Sequence, residues 1–567
     1  MASCIHSFTR PGWPLLLVCL AGAGLLWASM PPLEWWPLVW PALVPWLWAT
    51  LMLAEQSDSS APEKNKAHSP PPGKTAVACR WFLRPLGAVW LSAWGFWLAM
   101  LYWLLLPHWA GVFGWVALTL YLSLYTWAWV GISAWMVRRL RVPLPLAAGV
   151  VWAAGAVVRA RLFGGFTLAS PAYALYQQLP AIQLAELVGQ HGVDLWVVFV
   201  SAAAASTLWH ALIRRNARTA LLAAATGAAV LLAGWGYGYW RLHTLPPPQA
   251  PPLKAILVQS SFDTVFGQSR QRILQMHQQC AKLTSQAVAQ HPEAQLILWP
   301  ETMFHPSLEF LKQYPELVSP AFLDQLARLH TQAGKRWLVL GVHAAQYEEV
   351  PPPPGSRPQR FNTAVLVSPR GELLARYHKM KPIIFGEYIP LGDYFPWLYR
   401  LAPMDQGLAP GPAPATFPLE KTSLVPNICY ESILPHLVRR QVNHAARQAQ
   451  RKKLPRPEVL VNLTNSGWFW GSSELKLHLV SHVFRAVETR RPVLVAANTG
   501  ISAAVDHRGQ ILAQGPRRQA TFLFVQVHPY AATTPYLAWG DTWAWLCAAA
   551  VALAPVLMTW QRFPHKK

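Results

Sequence analysis

The sequence predicts a two-part molecule: an α-helical membrane domain of about eight transmembrane helices, with an α/β domain inserted between the seventh and eighth. Three observations carry this reading. The 567 residues are 53% hydrophobic and only 13% charged, with a mean hydropathy of +0.21, whereas a soluble domain carries about a quarter charged residues. The apolar residues are also segregated. Of 31 tryptophans, 22 precede residue 242 and 4 lie beyond 535, leaving 5 between. In that middle region, short Val/Ile/Leu runs alternate with helical stretches. An ordinary cytosolic enzyme and a disordered chain are both excluded, the latter because it needs low hydrophobicity.

Long apolar runs fall at 13–29, 34–53, 82–106, 111–137, 143–158, 193–213, 219–240 and 541–560. Most approach or exceed the roughly 20 residues that a helix needs to cross the hydrocarbon core; 143–158 is the shortest. Threading starts with Arg10 inside. The inner loops then receive Lys64, Lys66, Lys74 and Arg80; Arg138, Arg139 and Arg141; Arg214, Arg215 and Arg218; and Arg562, Lys566 and Lys567. The short outer loops receive only Arg159, Arg161 and Arg241. Positive charge concentrates on the cytoplasmic side of such proteins, so both termini are expected in the cytoplasm. The division that follows is a seven-helix membrane domain over 1–241 with a cytoplasmic linker at 54–80, an extracytoplasmic domain over 242–535, and a last helix with its tail over 536–567. Cys19 follows Val18, not the small residue that lipoprotein processing prefers, and reads as a membrane-buried thiol.

The formal charge is +23 and the pI about 10. No helix-turn-helix, zinc-finger or RNP pattern accompanies it, so nucleic acid is not an expected partner. By region the charge is +9 over 1–241, +12 over 242–535 and +2 over 536–567. The outer two values follow from membrane topology. The middle one suits a domain held near anionic lipid.

From residue 253 the texture changes. Strand-length runs appear at Leu253–Val258, Leu296–Trp299, Trp337–Val342, Thr363–Val367, Ser423–Ile428, Val459–Leu463, Val493–Ala497 and Phe522–Val527. Their density of Val, Ile and Leu is that of fully buried strands. Helical stretches at Ser269–Gln290 and Leu475–Arg490 lie between them. The alternation predicts a layered α/β fold, in which reactive residues gather at strand ends.

Three strand ends carry candidates. Leu296–Leu298 runs into Trp299-Pro300-Glu301, Lys379 lies in Arg376-Tyr377-His378-Lys379-Met380-Lys381, and Cys429 follows Ser423–Ile428 and precedes Tyr430-Glu431. Taken singly, Glu301 reads as a surface or capping carboxylate, Lys379 as one cation in a basic segment, and Cys429 as core. Together they hold more. A thiol nucleophile needs a base to take its proton and a cation to hold the tetrahedral oxyanion. Burial would raise the pKa of Glu301 toward a useful value, and a neighbouring Lys379 would lower it.

Trp299-Pro300-Glu301, Tyr377 and Lys379 leading to Phe385-Gly386-Glu387-Tyr388-Ile389-Pro390, and Cys429-Tyr430-Glu431 resemble the nitrilase (carbon-nitrogen hydrolase) superfamily. With seven spans before the domain and one after, the chain is similar, more narrowly, to the apolipoprotein N-acyltransferase family. Asn465…Trp468-Phe469, Arg485-Ala486-Val487-Glu488, Arg491-Pro492, Asn498-Thr499-Gly500-Ile501-Ser502-Ala503 and Arg159…Leu162-Phe163-Gly164-Gly165-Phe166 extend the similarity. The resemblance implies an αββα sandwich, Glu301 as general base, Lys379 as oxyanion stabiliser and Cys429 as nucleophile, with Glu387, Tyr430 and Glu431 supporting the site. It further implies a phospholipid acyl donor, an S-diacylglyceryl apolipoprotein acceptor, ping-pong transfer through a Cys429 thioester, and residence in the bacterial inner membrane with the catalytic domain periplasmic.

The sequence departs from the family pattern in places. Gln259-Ser260-Ser261 stands for Gln-Gly-Asn, and Phe262 to Arg272 lack the expected tryptophan, for which Phe262 or Phe266 could substitute in packing. Ser466 stands where an acidic residue is usual, and Lys381 and Ile384 stand for histidine and proline. None replaces a catalytic residue.

Of six cysteines, only Cys280 and Cys429 fall in the outer domain, and both are expected reduced. No CxxC or HExxH pattern occurs, so neither a metal nor another cofactor is expected. The basic run Arg439 to Arg456 reads as a solvated face or a headgroup contact, and Tyr394-Phe395-Pro396-Trp397-Leu398 as an interfacial lid or as core. Two rival functions share these features: a membrane-tethered amidase or nitrilase-type hydrolase, and a non-catalytic lipoprotein-binding membrane protein.

Overall fold

The computed structural model describes residues 13–55, 85–314, 316, 318–349, 357–401, 406–452, 454 and 458–560. The linker 54–80 beyond Glu55, the charges at Arg10, Lys64, Lys66, Lys74, Arg80, Arg562, Lys566 and Lys567, the thiols Cys4 and Cys79, and Lys453 and Arg456 lie outside them.

Each of the eight apolar runs forms a helix: α1 Trp13–Ala28, α2 Trp36–Glu55, α3 Pro85–Met100, α4 Gly111–Leu140, α5 Leu144–Arg159, α6 Ala185–Leu212, α7 Ala217–Thr244 and, after the α/β domain, Thr542–Trp560. Four of these, α2, α4, α6 and α7, are long and apolar enough to cross a membrane; the other four are apolar but shorter over their described residues. Two differences from the sequence reading stand out. The 82–106 run does not continue as one helix, because α3 stops at Met100 and Tyr102–Leu105 is a 3₁₀ turn. Helix α6 begins at Ala185 rather than near 193, with a break at Gly189, and so includes buried Glu186 and His191. Periodicity could not place that start, since polar residues ended the apolar run while their partners lay elsewhere in the chain. Glu186 receives Arg490 at 2.7 Å and also Arg241, a pairing that makes buried charge tolerable.

The α/β domain is built on two sheets. A seven-stranded sheet has the order β13-β1-β2-β4-β5-β6, with β3 pairing β4; a six-stranded sheet runs β12-β11-β10-β9-β8-β7. Its strands are β1 Leu253–Gln259, β2 Leu296–Leu298, β3 Phe304–Leu311, β4 Trp337–Tyr347, β5 Gln359–Val367, β6 Leu373–His378, β7 Phe417–Pro418, β8 Ser423–Ile428, β9 Glu458–Thr464, β10 Val493–Ala497, β11 Ala503–Val505, β12 Ile511–Gln514 and β13 Thr521–Val527. All eight expected strands are present. β3, β6, β7, β11 and β12 were not expected, because they are short or carry charged and polar residues on an exposed face.

The sheets face each other through Leu257, Leu298, Val339, Leu366, Ile428, Val461 and Leu494, all buried. Helices α8 Arg270–Gln290 and α9 Pro320–Gln332 cover the far face of the larger sheet, where Cys280 is fully buried in the core. Helices α10 Pro435–Lys452 and α11 Glu474–Thr489 cover the far face of the smaller one. Helix, sheet, sheet and helix therefore stack as an αββα sandwich. Its α11 layer packs directly on α6, within one continuous apolar core shared with the apolar helices.

Arg439, read from the sequence as part of a solvated basic face, is instead a brace. It donates to the carbonyls of Tyr536, Leu537 and Ala538, and so fastens α10 to the short helix leading into Thr542–Trp560. In the 394–398 segment Tyr394, Phe395 and Trp397 are exposed, not core, at 81%, 50% and 57% accessible.

Candidate active site

Glu301, Lys379 and Cys429 stand at the ends of β2, β6 and β8, where the two sheets come together. Each is delivered by a local device. After β2 the chain turns through Pro300-Glu301-Thr302 and lies tight on β4 at Gly341. A Cβ there would sit 2.3 Å from the Pro300 carbonyl oxygen and 2.6 Å from the Glu301 Cα, so glycine alone permits the approach. Lys379 is the residue after β6, and its N–H donates to the Asn362 carbonyl on neighbouring β5 at 2.8 Å. Cys429 opens a 3₁₀ turn, Cys429–Ile433, directly after β8.

Lys379 is 1% exposed and centres the site. Its Nζ donates to Glu387 Oε1 at 2.8 Å and lies 3.4 Å from Glu301 Oε1. Glu301 also accepts from Asn362 Nδ2 at 2.5 Å on Oε1 and from the Asn465 N–H at 2.8 Å on Oε2. Asn362 bridges the two carboxylates, reaching Glu387 Oε1 at 3.2 Å. Glu387 is further pinned by the Ile383 N–H at 2.8 Å.

Charge balance follows from this geometry. Burial works to lower the Lys379 pKa, but Glu387 and Glu301 outweigh it and hold the ammonium above the ordinary lysine value. The cation is therefore permanent at neutral pH. Burial raises the Cys429 thiol above its usual value and Glu301 adds to the effect, while Lys379 and Thr464 pull the other way. The resting group is a neutral thiol beside a carboxylate, which suits proton transfer during attack.

The supporting residues divide. Glu387 contacts Lys379 directly. Glu431 acts from behind the site: its carboxylate accepts from the Tyr377 hydroxyl at 2.7 Å and from the N–H groups of Met380, Lys381 and Ile428 at 2.7, 3.1 and 2.8 Å. It thereby ties the strand end that carries Lys379 to the one that carries Cys429. The Tyr430 hydroxyl donates to the Gly165 carbonyl in the segment that follows α5. Behind the Cys429 thiol, His478 faces the Cys429 carbonyl at 3.1 Å through Nε2, with burial pushing its pKa down to about 4.

Sequence reasoning did not single out Asn362, since a strand asparagine between Phe361 and Thr363 carries no motif. Nor did it find Glu474, whose buried carboxyl lies against Ser466, the position where an acidic residue had been expected. Of the two candidate packing substitutes, Phe266 lies tilted against Trp468 at 4.6 Å and edge-on to His108 at 6.0 Å, while Phe262 lies under the Arg272 guanidinium at 6.0 Å.

Burial pushes the Glu474 pKa up to about 8. A folded-state value raised above the unfolded one gives stability that is present below about pH 4.3 and is lost as pH rises through the folded value. Buried Glu431 and Glu488, each pushed up to about 7, act in the same sense. Glu474→Gln is therefore expected to flatten the fall in thermal midpoint between mildly acidic and mildly alkaline pH. A variant as pH-sensitive as the parent would refute this account.

The sequence model of the carbon-nitrogen hydrolase family matches residues 266–536, and that of the apolipoprotein N-acyltransferase N-terminal domain matches residues 72–203. The chain is 30% identical over 564 residues to an apolipoprotein N-acyltransferase of Azotobacter vinelandii, covering 97% of this chain and 95% of that one. It is 27% identical over 584 residues to that of Rhodopirellula baltica, with 95% and 96% covered. A Bordetella bronchiseptica protein of the same description is 31% identical over 413 residues, 69% of each chain. Identity of 30% that covers 97% of this chain and 95% of the Azotobacter vinelandii relative means that the chain belongs to the apolipoprotein N-acyltransferase family.

Proposed function

We propose that the protein transfers a fatty acyl chain from a phospholipid to the α-amino group of an S-diacylglyceryl cysteine at the N-terminus of apolipoproteins, completing their maturation. The observation that carries the chemistry is the convergence on Cys429 of one permanent cation, Lys379, and one hydrogen-bonded carboxylate, Glu301.

In the first half-reaction Glu301 takes the Cys429 proton as Sγ attacks the donor's ester carbonyl. Lys379 Nζ stabilises the tetrahedral oxyanion. The ester C–O bond breaks, the lysophospholipid oxygen takes the proton from Glu301, and a thioester remains. In the second, the lipoprotein amine attacks the thioester carbonyl, Glu301 accepts the amine proton, and the C–S bond breaks with Sγ reprotonated. Splitting one transfer into two steps is the gain of covalent catalysis. Glu387 keeps Lys379 charged and aimed.

The family setting and the apolar helices support an inner-membrane location. We further read all eight apolar helices as spans, the termini as cytoplasmic and 242–535 as a periplasmic domain, on the strength of the Lys/Arg distribution. The sandwich's helical face then meets the membrane part, which places the site within reach of lipid donors.

Purified full-length protein, given phospholipid and a diacylglyceryl-cysteine peptide, is expected to yield N-acylated peptide and lysophospholipid in equal amounts, both tracked by mass spectrometry. Free fatty acid without N-acylated peptide would instead establish the hydrolase reading, and binding without turnover the non-catalytic one.

A further inference from the structure

The turn that carries the nucleophile is held from the membrane side. Cys429 has φ of 50°, in the left-handed region, which a non-glycine residue keeps only where its surroundings over-determine it. Part of that constraint is internal to the α/β domain. Three donors converge on the Cys429 carbonyl: Asn462 Nδ2 and His478 Nε2, each at 3.1 Å, and Ser432 Oγ at 3.2 Å.

The rest comes from residues 165–170, which follow α5 in the membrane part. The Tyr430 hydroxyl donates to the Gly165 carbonyl, and the Thr167 hydroxyl donates to the Ile433 carbonyl, so both ends of the turn are fastened. Thr167 is fully buried. At Gly165, with φ of 87°, a Cβ would lie 2.2 Å from the Ala160 carbonyl oxygen and 2.8 Å from Leu434 Cδ2, so the segment can lie against the turn only as glycine.

A second route closes the circuit. Arg485 reaches the Ser432 carbonyl at 3.4 Å and Gln190 Oε1 at 3.0 Å. Gln190 Nε2 then donates to the Thr167 carbonyl at 3.2 Å and to Ser170 Oγ at 2.9 Å. Turn, α11, α6 and the 165–170 segment thus form one buried ring of hydrogen bonds.

We propose that the membrane-domain segment 165–170 is a positioning element of the catalytic site, with Thr167 holding the Cys429 turn in its left-handed geometry through Ile433. The inference rests on the reading of Cys429 as nucleophile. It makes the membrane part more than an anchor: the thiol is presented correctly only when that part is in place.

The test uses full-length Thr167→Val, Thr167→Ser and Tyr430→Phe in phospholipid–detergent micelles, with single-turnover formation of the hydroxylamine-sensitive Cys429 adduct as readout. Losing one buried donor to the turn is expected to slow adduct formation about tenfold in Thr167→Val. Its KM for phospholipid, and both parameters of Thr167→Ser, should stay within about twofold of wild type. Tyr430→Phe removes the companion bond and should reproduce the loss at unchanged KM. A wild-type adduct rate in Thr167→Val would overturn the proposal, whatever Tyr430→Phe does. So would a Thr167→Ser as slow as Thr167→Val, which would make side-chain shape rather than the hydrogen bond responsible. If Cys429→Ser still formed acyl product, the nucleophile assignment itself would fall. An inert Cys429→Ser beside a wild-type Thr167→Val would sink the positioning role alone.

Discussion

Cys429→Ser is expected to abolish acyl transfer, by at least about a thousandfold, without loss of the fold. The exchange replaces one sulfur by one oxygen at a half-buried residue packed against the core between the sheets, a near-isosteric change that leaves the strand end and the turn behind it in place. Its chemical effect is large. The thiol is already held above its ordinary pKa by burial and by the charge of Glu301. A hydroxyl, far less acidic at the outset, would face the same environment. Glu301 then has no proton it can remove at a useful rate, and an oxygen ester, were it formed, would resist aminolysis more than a thioester does. The check has two arms. Phospholipid alone should label wild type with one acyl group removable by hydroxylamine, and should leave Cys429→Ser unlabelled. Phospholipid and acceptor peptide together should give N-acyl product with wild type only. Full transfer by Cys429→Ser or Cys429→Ala would refute the thioester route, whatever the reaction catalysed.

The parts of this site differ in how legible they were. Glu301, Lys379 and Cys429 follow buried or recognisable strand segments, so apolar runs located two of the strand ends and the motifs located the third. β6 escaped detection because Arg376 and His378 alternate with Tyr377, and only Tyr377 is buried; its pattern is that of an edge strand with one polar face. Asn362 was invisible for a different reason. Its role depends on Glu301 and Glu387, which are distant in sequence, and nothing local to β5 announces that two carboxylates meet there. Glu431 was expected beside the site from the resemblance alone, and the way it would support the site, as a clamp between strand ends, shows only in its four partners. Helix α6 shows the same limit. Glu186 and Gln190 look like the end of an apolar segment until Arg490, Arg241 and Arg485 are brought against them by the fold. Hydrophobic pattern gives faces and lengths, whereas polar pairing across hundreds of residues belongs to the tertiary structure.

Lys379→Met is expected to have a double effect, and separating its two parts decides what the lysine does. Methionine keeps most of the side-chain volume but removes the charge. The oxyanion would lose its cation, a change of about 100- to 1000-fold in transfer rate. Glu301 and Glu387, which share Asn362 as donor and now lack a counter-ion, would be left as an uncompensated buried pair. Removing one partner from a buried ion cluster costs about 3–5 kcal/mol. Without the lysine the two carboxylates repel each other, and protonating one of them relieves the repulsion. The variant should therefore have a higher thermal midpoint at acidic than at neutral pH. Lys379→Met/Glu387→Gln isolates the catalytic part. With one carboxylate neutralised, most of the lost stability should return, because a single carboxylate at Glu301 still has Asn362 and the Asn465 N–H. Transfer should not return, because no cation faces the developing oxyanion. Recovery of activity along with stability would show that Lys379 serves only to balance Glu387, and would move oxyanion stabilisation to another donor.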